Sequence, residues 1–447
     1  MINVAGFGNV NAHGNVENSF NLFAPRLGIA YQLSQKTVIR MGYGRSFDVG
    51  TFGSHFGHAV TQNLPVLATQ EERGPTGAAF EAAFNLASGP TTFDITTQCD
   101  FQATGTCPLP DGIFTRARPQ RQVMLTIDSW NLAIQHQITP TMSFEVAYVG
   151  NKGTHVFAGD GPGKNINQPI LTGFTTGVSA NDRKPFFSRF GWTQTIIQLE
   201  ESADNHYNSL QVKLNKRFSG GLQFVGHYTW AKVLGENGDY FIYDSKLNYG
   251  PREWDRKHVF LFNSLWEIPV GRGKRALADA SPIVDHILGG WQLGSVVTWQ
   301  SGLPFSPSYR DCGPDRDTGP CRPNLVGSVG SGSAGQFFQT SGTEGLINGE
   351  TGGPWQRPQP GTFGSATLNS LRGPRFFNTD LSITKKVFVG EQTRVEFHAQ
   401  AFNIFNHVNL ANPNSCVDCD INTDGRIFGL APNAQMRQWQ FGLRIAF

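Results

Sequence analysis

The sequence predicts an all-β chain: the antiparallel wall of a transmembrane β-barrel, with long loops at one end. Three observations predict it. Apolar residues recur at every second position through about eleven stretches, the signature of strands with unlike faces. The connections between these stretches alternate between tight turns and long links, as in barrels with short periplasmic turns and long outer loops. The residues opposite the apolar set are Gln, Asn, Lys, Arg and His, which suit a wet lumen better than a dry inter-sheet core.

The strands are placed, in order, at 20–33, 36–49, 121–138, 141–157, 205–218, 221–234, 254–268, 290–303, 375–388, 392–406 and 435–447. The third alternates Trp130, Leu132, Ile134 and Ile138 with Asn131, Gln135 and Gln137. The fifth sets Leu210, Val212 and Leu214 against Gln211, Lys213 and Asn215; the sixth sets Leu222, Phe224, Tyr228 and Trp230 against Gln223, His227 and Thr229. The eighth pairs Trp291, Leu293, Val297 and Trp299 with Gln292, Gly294, Thr298 and Gln300. The last alternates Trp439, Phe441, Leu443, Ile445 and Phe447 with Gln440, Gly442, Arg444 and Ala446. Tight turns are expected at Ser34-Gln35, Thr139-Pro140, Ser219-Gly220 and Gly390-Glu391. Long links are expected at 50–120, 158–204, 235–253, 304–374 and 407–434. Residues 270–289 break the pattern with a long link where a tight turn belongs. Closing such a sheet into a cylinder would remove the exposed edges that so many strands create.

Composition agrees. At 447 residues the length alone would suggest about three domains. However, charged residues are only 16%, aromatics reach 12%, and there are 52 Gly and 35 Phe. A charged fraction of ~25% is usual for soluble domains. Mean hydropathy is −0.29 and no apolar run reaches helix-spanning length, so helical membrane spans are excluded. A net charge of +2 does not support nucleic-acid binding. Residues 1–20 carry neither a basic start nor an apolar run of signal-peptide length.

Several residues are candidates for specific roles. Trp130, Tyr148, Tyr228, Trp230, Trp291 and Trp299 lie on the apolar face toward strand ends, where an interfacial aromatic girdle would sit. Ordinary packing aromatics are the plain alternative. The six cysteines form three local pairs, Cys99 with Cys107, Cys312 with Cys321 and Cys416 with Cys419, each in a loop. Short separations favour neighbour disulfides in an oxidising compartment. A metal or redox Cys-x-x-Cys at Cys416 and Cys419 is the alternative, without the second pair that a zinc set needs. Asp420, Asn422 and Asp424 match the front half of a calcium loop, but its twelfth position is Ala431 where a bidentate Glu is needed. A solvated acidic loop is the simpler reading. His136, His227 and His398 lie in strands with no nucleophile elbow nearby, and Glu200, Glu201 and Asp204 are neighbouring carboxylates placed in a loop. Arg252–Glu253 with Asp255–Arg256 read as ion pairs at a strand end. Neither an enzyme nor a cofactor is expected.

At this point the chain resembles the C-terminal part of TonB-dependent receptors, specifically the Oar-like group. The resemblance rests on FAPRLGIAYQL with TVIRMGYGRSFD, SWNLAIQHQITPTMSFEVAYVGNKGTHV, and YNSLQVKLNKRFSGGLQFVGHYTWAK. DRKHVFLFNSLWEIPVGRG, GGWQLGSVVTWQSGLPFSP, FFNTDLSITKKVF with VEFHAQAFNIFNHVNL, and the ending QWQFGLRIAF complete it. It implies a Gram-negative outer-membrane location, ligand capture by the outer loops and uptake through the lumen. It also implies contact with outer-membrane lipid and with the barrel-assembly machinery. Coupling to TonB is implied only where an upstream plug and TonB box exist, and neither is visible in residues 1–447. Eleven strands is an odd count, about half of a 22-stranded transporter barrel, so the expectation is a C-terminal half barrel. Trp439, Phe441, Leu443, Ile445 and the terminal Phe447 resemble an outer-membrane assembly signal. Trp192, Tyr240, Tyr243 and Trp355 are expected loop contacts to an extracellular ligand of unknown class. The alternative is a structural or adhesive surface protein that does not transport.

Overall fold

The computed structural model describes residues 2–17, 19–48, 61–64, 66–72, 74–76, 81–90, 103–121, 123–157, 163–171, 177–199, 201–236, 241–310, 322–333, 335–389 and 393–447. One large antiparallel sheet dominates. Its strands follow chain order without a crossover: β1 (Arg26–Ser34), β2 (Thr37–Asp48), β3 (Leu125–Thr139), β4 (Met142–Phe157), β5 (Glu201–Ser219) and β6 (Leu222–Glu236). It continues through β7 (His258–Glu267), β8 (Trp291–Gln300), β9 (Phe376–Val389), β10 (Thr393–Phe402) and β11 (Gln438–Ala446). A twelfth, three-residue piece, Tyr249–Pro251, pairs with the loop end of β6. Among the described residues the sheet is open: β1 and β11 are its two edges.

All eleven expected strands are present, with small shifts at their ends. The ladder of β1 begins only at Arg26, because the preceding Pro25 has no N–H to give. β5 begins four residues early, at Glu201, which places Glu201 and Asp204 in a strand and not in a loop. The two-residue turns are Gln35-Lys36, Pro140-Thr141 and Gly220-Gly221, one position later than expected. Gly220 and Gly221 have φ of 60° and 78°, the mirror-image turn that matches strand twist and that glycine adopts without strain. The Gly390-Glu391 turn lies outside the described residues. The irregular link 270–289 contains the helix α1 (Pro282–Leu288), started by Pro282 behind the capping Ser281.

Register turns period two into two surfaces. One cross-strand row reads Tyr31, Ile39, Ile134, Val146, Val212, Tyr228, Phe260, Trp299 and Phe377. The adjacent row, on the other face, reads Gln32, Val38, Gln135, Glu145, Lys213, His227, Leu261, Thr298 and Asn378. On that polar face Arg40 donates to Gln135 at 2.7 Å and lies 3.7 Å from Glu145.

No second large sheet faces either surface among the described residues; the remaining sheets have two or three strands. Leu443 is 68% exposed and Phe441 65%. In water such a surface would be unstable; against hydrocarbon it is what a barrel wall requires. From Trp291 to Trp299, β8 covers about 27 Å along the strand, or about 21 Å of depth at a tilt of ~40°. That is close to the apolar band of ~25 Å expected for an outer membrane. The buried apolar cores lie outside the wall. Phe305, Phe338, Trp355, Ala366 and Val417 form one, and Leu64, Cys107 and Ile113 form another, both within loops.

Candidate functional site

The described parts of the long links fold into a layer at one end of the wall, and a single buried carboxylate fixes where that layer starts. Asp255 precedes β7 and is wholly buried. Its Oδ1 accepts the Val233 N–H of β6 at 2.7 Å, and its Oδ2 accepts from Arg372. Arg372 also donates to the Asp255 carbonyl at 2.7 Å and to that of Gly302 at 3.4 Å. The partner of Asp255 is therefore Arg372, 117 residues away, and not the adjacent Arg256, which donates to the Ser301 carbonyl. Arg372 belongs to a two-residue strand, Leu371–Arg372, paired with Pro304–Phe305 just beyond β8. A Cβ on Gly302 would lie 1.8 Å from the Gly373 carbonyl, so this close approach admits only glycine.

Above this anchor lies a half-open cavity of about 600 Å³, within the usual range for small-molecule sites. Leu303, Pro304, Phe305, Pro307 and Leu368 supply its apolar lining; Ser306, Ser308, Asn369, Asn412, Ser415, Glu253 and Arg322 supply its polar groups. Asn369 holds the wall in shape: its backbone N–H donates to Ser306 Oγ at 2.9 Å and its side chain to the Pro251 carbonyl at 2.7 Å. The links 304–374 and 407–434 join where Ser308 donates to the Ser415 carbonyl and Val417 to the Ser308 carbonyl. Beneath that junction, buried Asp418 accepts the N–H groups of Arg310 at 2.7 Å and Leu346 at 3.0 Å. Burial nonetheless pushes its carboxyl above the usual range, and does the same to Asp424.

A second loop group is built on buried amides. Asn167 donates to the carbonyls of Trp192 at 3.0 Å and Gln194 at 2.9 Å, beside the short strands Thr115–Ala117, Ile196–Leu199 and Gly163–Asn165. Residues 241–243 join the two groups. Phe241 meets Phe363 at 4.9 Å, and Tyr243 donates to the Gln168 carbonyl at 2.7 Å. Burial pushes the Tyr243 hydroxyl up to about 12.

An open, two-faced antiparallel sheet carrying such a loop layer is the shape of an outer-membrane barrel wall, and comparison with known families agrees. The outer membrane beta barrel domain model matches residues 1–440. The chain belongs to that family. This outer-membrane barrel is similar to the ferric-catecholate import receptor Fiu from E. coli, at 9% identity and TM-score 0.39 over 95% of this chain and 34% of that one. It is also similar to BauA, the ferric preacinetobactin receptor of Acinetobacter baumannii, at 8% and 0.40 over 95% and 36%. The ferripyoverdine receptor of the Pseudomonas aeruginosa outer membrane matches at 7% and 0.40 over 95% and 32%. The chain thus spans about a third of the length of these receptors. The search of curated proteins found no match.

In the barrel, the six girdle candidates share the apolar face but do not form one ring. Trp291 lies at the turn end, with Trp266 close by on the same face. Tyr228 and Trp299 share the register row of Val212, Tyr148 and Trp230 that of Leu210, and Trp130, nearest the loops, that of Asn208. Trp130 lies flat across Gly150 of β4, where a Cβ would come within 2.5 Å of its indole nitrogen. One step further toward the loops, on the same face, Arg45 grips Asp128 through two bonds of 2.8 and 2.9 Å, and Tyr43 donates to Asp128 at 2.5 Å. Aromatic rings followed by paired charges are the order a headgroup boundary favours.

The five C-terminal candidates all stand exposed on edge strand β11 or just beyond it, with Phe441 stacked near Trp439 and Phe397. Cys416 and Cys419 are bonded to each other, which selects the disulfide over the metal alternative there. Cys107 is also in a disulfide; Cys99, Cys312 and Cys321 lie outside the described residues. Asp420 Oδ1 accepts the Asn422 N–H at 2.8 Å, and buried Asp424 accepts the Asp420 N–H at 3.0 Å, a hydrogen-bonded acidic turn. Of the expected loop contacts, Trp355 is fully buried and donates to the Gln339 carbonyl at 2.7 Å, so it is a core residue. Trp192 stacks on Phe190 at 4.5 Å, Tyr243 is partly exposed, and Tyr240 lies outside the described residues.

Proposed function

We propose that this outer-membrane barrel captures a small polar solute in its loop layer and passes it along the polar face of the wall, the uptake role implied by its resemblance to Oar-like TonB-dependent receptors. The supporting observation is the half-open cavity of about 600 Å³ at the base of the loops, with serine and asparagine groups among prolines and with Glu253 and Arg322 in its lining. Such a lining suits a hydroxyl-, amide- or hydroxamate-rich ligand. The two open edges support a second part of the reading: further strands complete the cylinder, and this chain is its C-terminal half. Coupling to TonB belongs to the reading only with a plug and TonB box upstream.

The test is binding to the detergent-solubilised chain by calorimetry, using ferric siderophores, oligosaccharides and short peptides in turn. Ser308→Trp fills the cavity and Ser308→Ala controls for loss of the hydroxyl. One class should bind the native chain and the alanine variant, and lose roughly tenfold or more with tryptophan. If no class binds, or tryptophan changes nothing, the cavity is not the capture site. Binding without accumulation of the same ligand by expressing cells would favour the adhesive role instead.

A further inference from the structure

The link 270–289, at the end of the wall where the other connections are tight turns, carries a seven-residue helix that covers no core. In α1, Ile283 is 74% exposed, Ile287 62%, Leu288 47% and Val284 37%, and no residue of the helix is buried. These four make two adjacent i, i+4 stripes and leave only Asp285 and His286 as polar side chains within the helix. Two side chains of the wall hold α1 at the rim. Trp291 Nε1 donates to the Ile287 carbonyl at 3.0 Å, and Lys385 Nζ donates to the carbonyls of Ile287 and Gly289 while lying 5.2 Å over the Trp291 ring. A cation at the last carbonyls of a helix is favourable both as cap and toward the dipole. Trp291 and Lys385 are register partners, and both stand on the apolar face, in the row that continues to Phe397 and Leu443. The helix is therefore fastened to the lipid-facing side of the rim. The segment leading into it exposes Arg272, Lys274 and Arg275 together with Asp279, and Lys274 lies 3.3 Å from Glu267.

We propose that α1 is an interfacial anchor that lies in the headgroup layer of the periplasmic leaflet, with Ile283 and Ile287 entering the upper acyl chains and the Arg272–Arg275 cluster meeting lipid phosphates. The occupant is a phospholipid surface because the helix continues the wall's own hydrocarbon-facing surface and because Arg272 and Arg275 stand exposed in the segment before it. A short amphipathic helix with nearby cations is suited to that depth. The anchor rests on the lipid-facing assignment of the apolar surface and is independent of the uptake reading.

The experiment uses the full chain in phosphatidylethanolamine–phosphatidylglycerol vesicles whose acyl chains are brominated near the headgroup. Emission of Ile287→Trp minus that of the native chain reports the helix, and Leu443→Trp, treated alike with bromine placed along the acyl chain, reports the wall. The helix signal should be blue-shifted and quenched roughly twofold by bromine. Ile283→Asp should weaken that quenching in the same background, and Lys385→Met should raise amide exchange through 282–288. Quenching at 443 with a red, unquenched signal at 287 overturns the anchor alone. A blue but bromine-insensitive signal at 287 means that protein, a second copy or another segment, covers the helix, and also overturns it. Loss of quenching at both positions overturns the lipid-facing assignment itself.

Discussion

Val212 and Gln211 are neighbours in β5, and exchanging each for arginine separates a hydrocarbon-facing surface from a wet one. On the apolar face Val212 lies between Val146 and Tyr228, midway between the nearest polar groups of its own strand, Asn208 and Lys216. Four residues separate it from each, about 14 Å along the strand and about 10 Å in depth. An arginine side chain reaches roughly 7 Å, so snorkelling leaves the guanidinium short of the headgroups in either direction. Val212→Arg should then cost about 3 kcal/mol, within the range of about 2–4 for arginine near the midplane of a barrel wall. Gln211→Arg enters the polar face, beside Ser209, whose hydroxyl accepts from Gln211 at 3.2 Å, and should change stability by less than about 1 kcal/mol. The assay is denaturant unfolding of the chain in phospholipid vesicles, followed by tryptophan emission. The midplane variant should shift the folding equilibrium by on the order of a hundredfold. Equal effects of the two substitutions, or a larger effect at position 211, would refute the facing of the entire sheet.

Three further outcomes follow from the loop layer and the wall. Asp255→Ala strands the Val233 N–H and half the pairing of Arg372, so it should loosen the loop layer by about 2–4 kcal/mol, read as faster protease cleavage within 304–374. Asp255→Asn, which keeps an acceptor for Val233, should fall between it and the native chain, and identical behaviour of the two variants counts against the anchor. Asp418 and Asp424 bind protons more readily folded than unfolded, so stability of the layer should rise as pH falls through their raised folded values toward the ordinary value near 3.8. In the other direction, the raised Tyr243 contributes stability present below about pH 10 and lost as pH climbs through about 12. Amide exchange across 341–346 and 241–243 checks both windows, and a flat profile contradicts them. Gly150→Ala should displace the Trp130 indole and red-shift its emission while leaving the β3–β4 ladder intact; an unchanged spectrum contradicts the flat stacking.

The wall was legible in the sequence because its two faces meet different solvents. Wherever hydrocarbon and water lie on opposite sides, every second residue must declare itself, and Val212 against Lys213 or Leu443 against Arg444 do so without alignment. The loop layer gives no such signal. It is held by single buried polar groups, Asp255 to Arg372 or Asn167 to Trp192 and Gln194, whose partners lie tens of residues away and have no period. Sequence proximity therefore points Asp255 to Arg256 while its partner is Arg372, and a loop position points Trp355 to the surface while it is the centre of a core. The helix α1 announced itself only as a connection of the wrong length. Cys416 and Cys419 were readable for the opposite reason, since a separation of three leaves little else for oxidised thiols to reach.

The two edge strands have a consequence for how the wall enters the bilayer. Each is nine residues long, so each aims about four amide donors and as many carbonyls away from its only described neighbour. Immersed in oil, every one of those groups would cost several kcal/mol, far more than the folded chain has to spare. On the proposed reading, in which further strands complete the cylinder, insertion and lateral closure have to be one event. β1 and β11 are zipped to other backbone, a second copy of the chain where vesicles hold nothing else, before the acyl chains surround them.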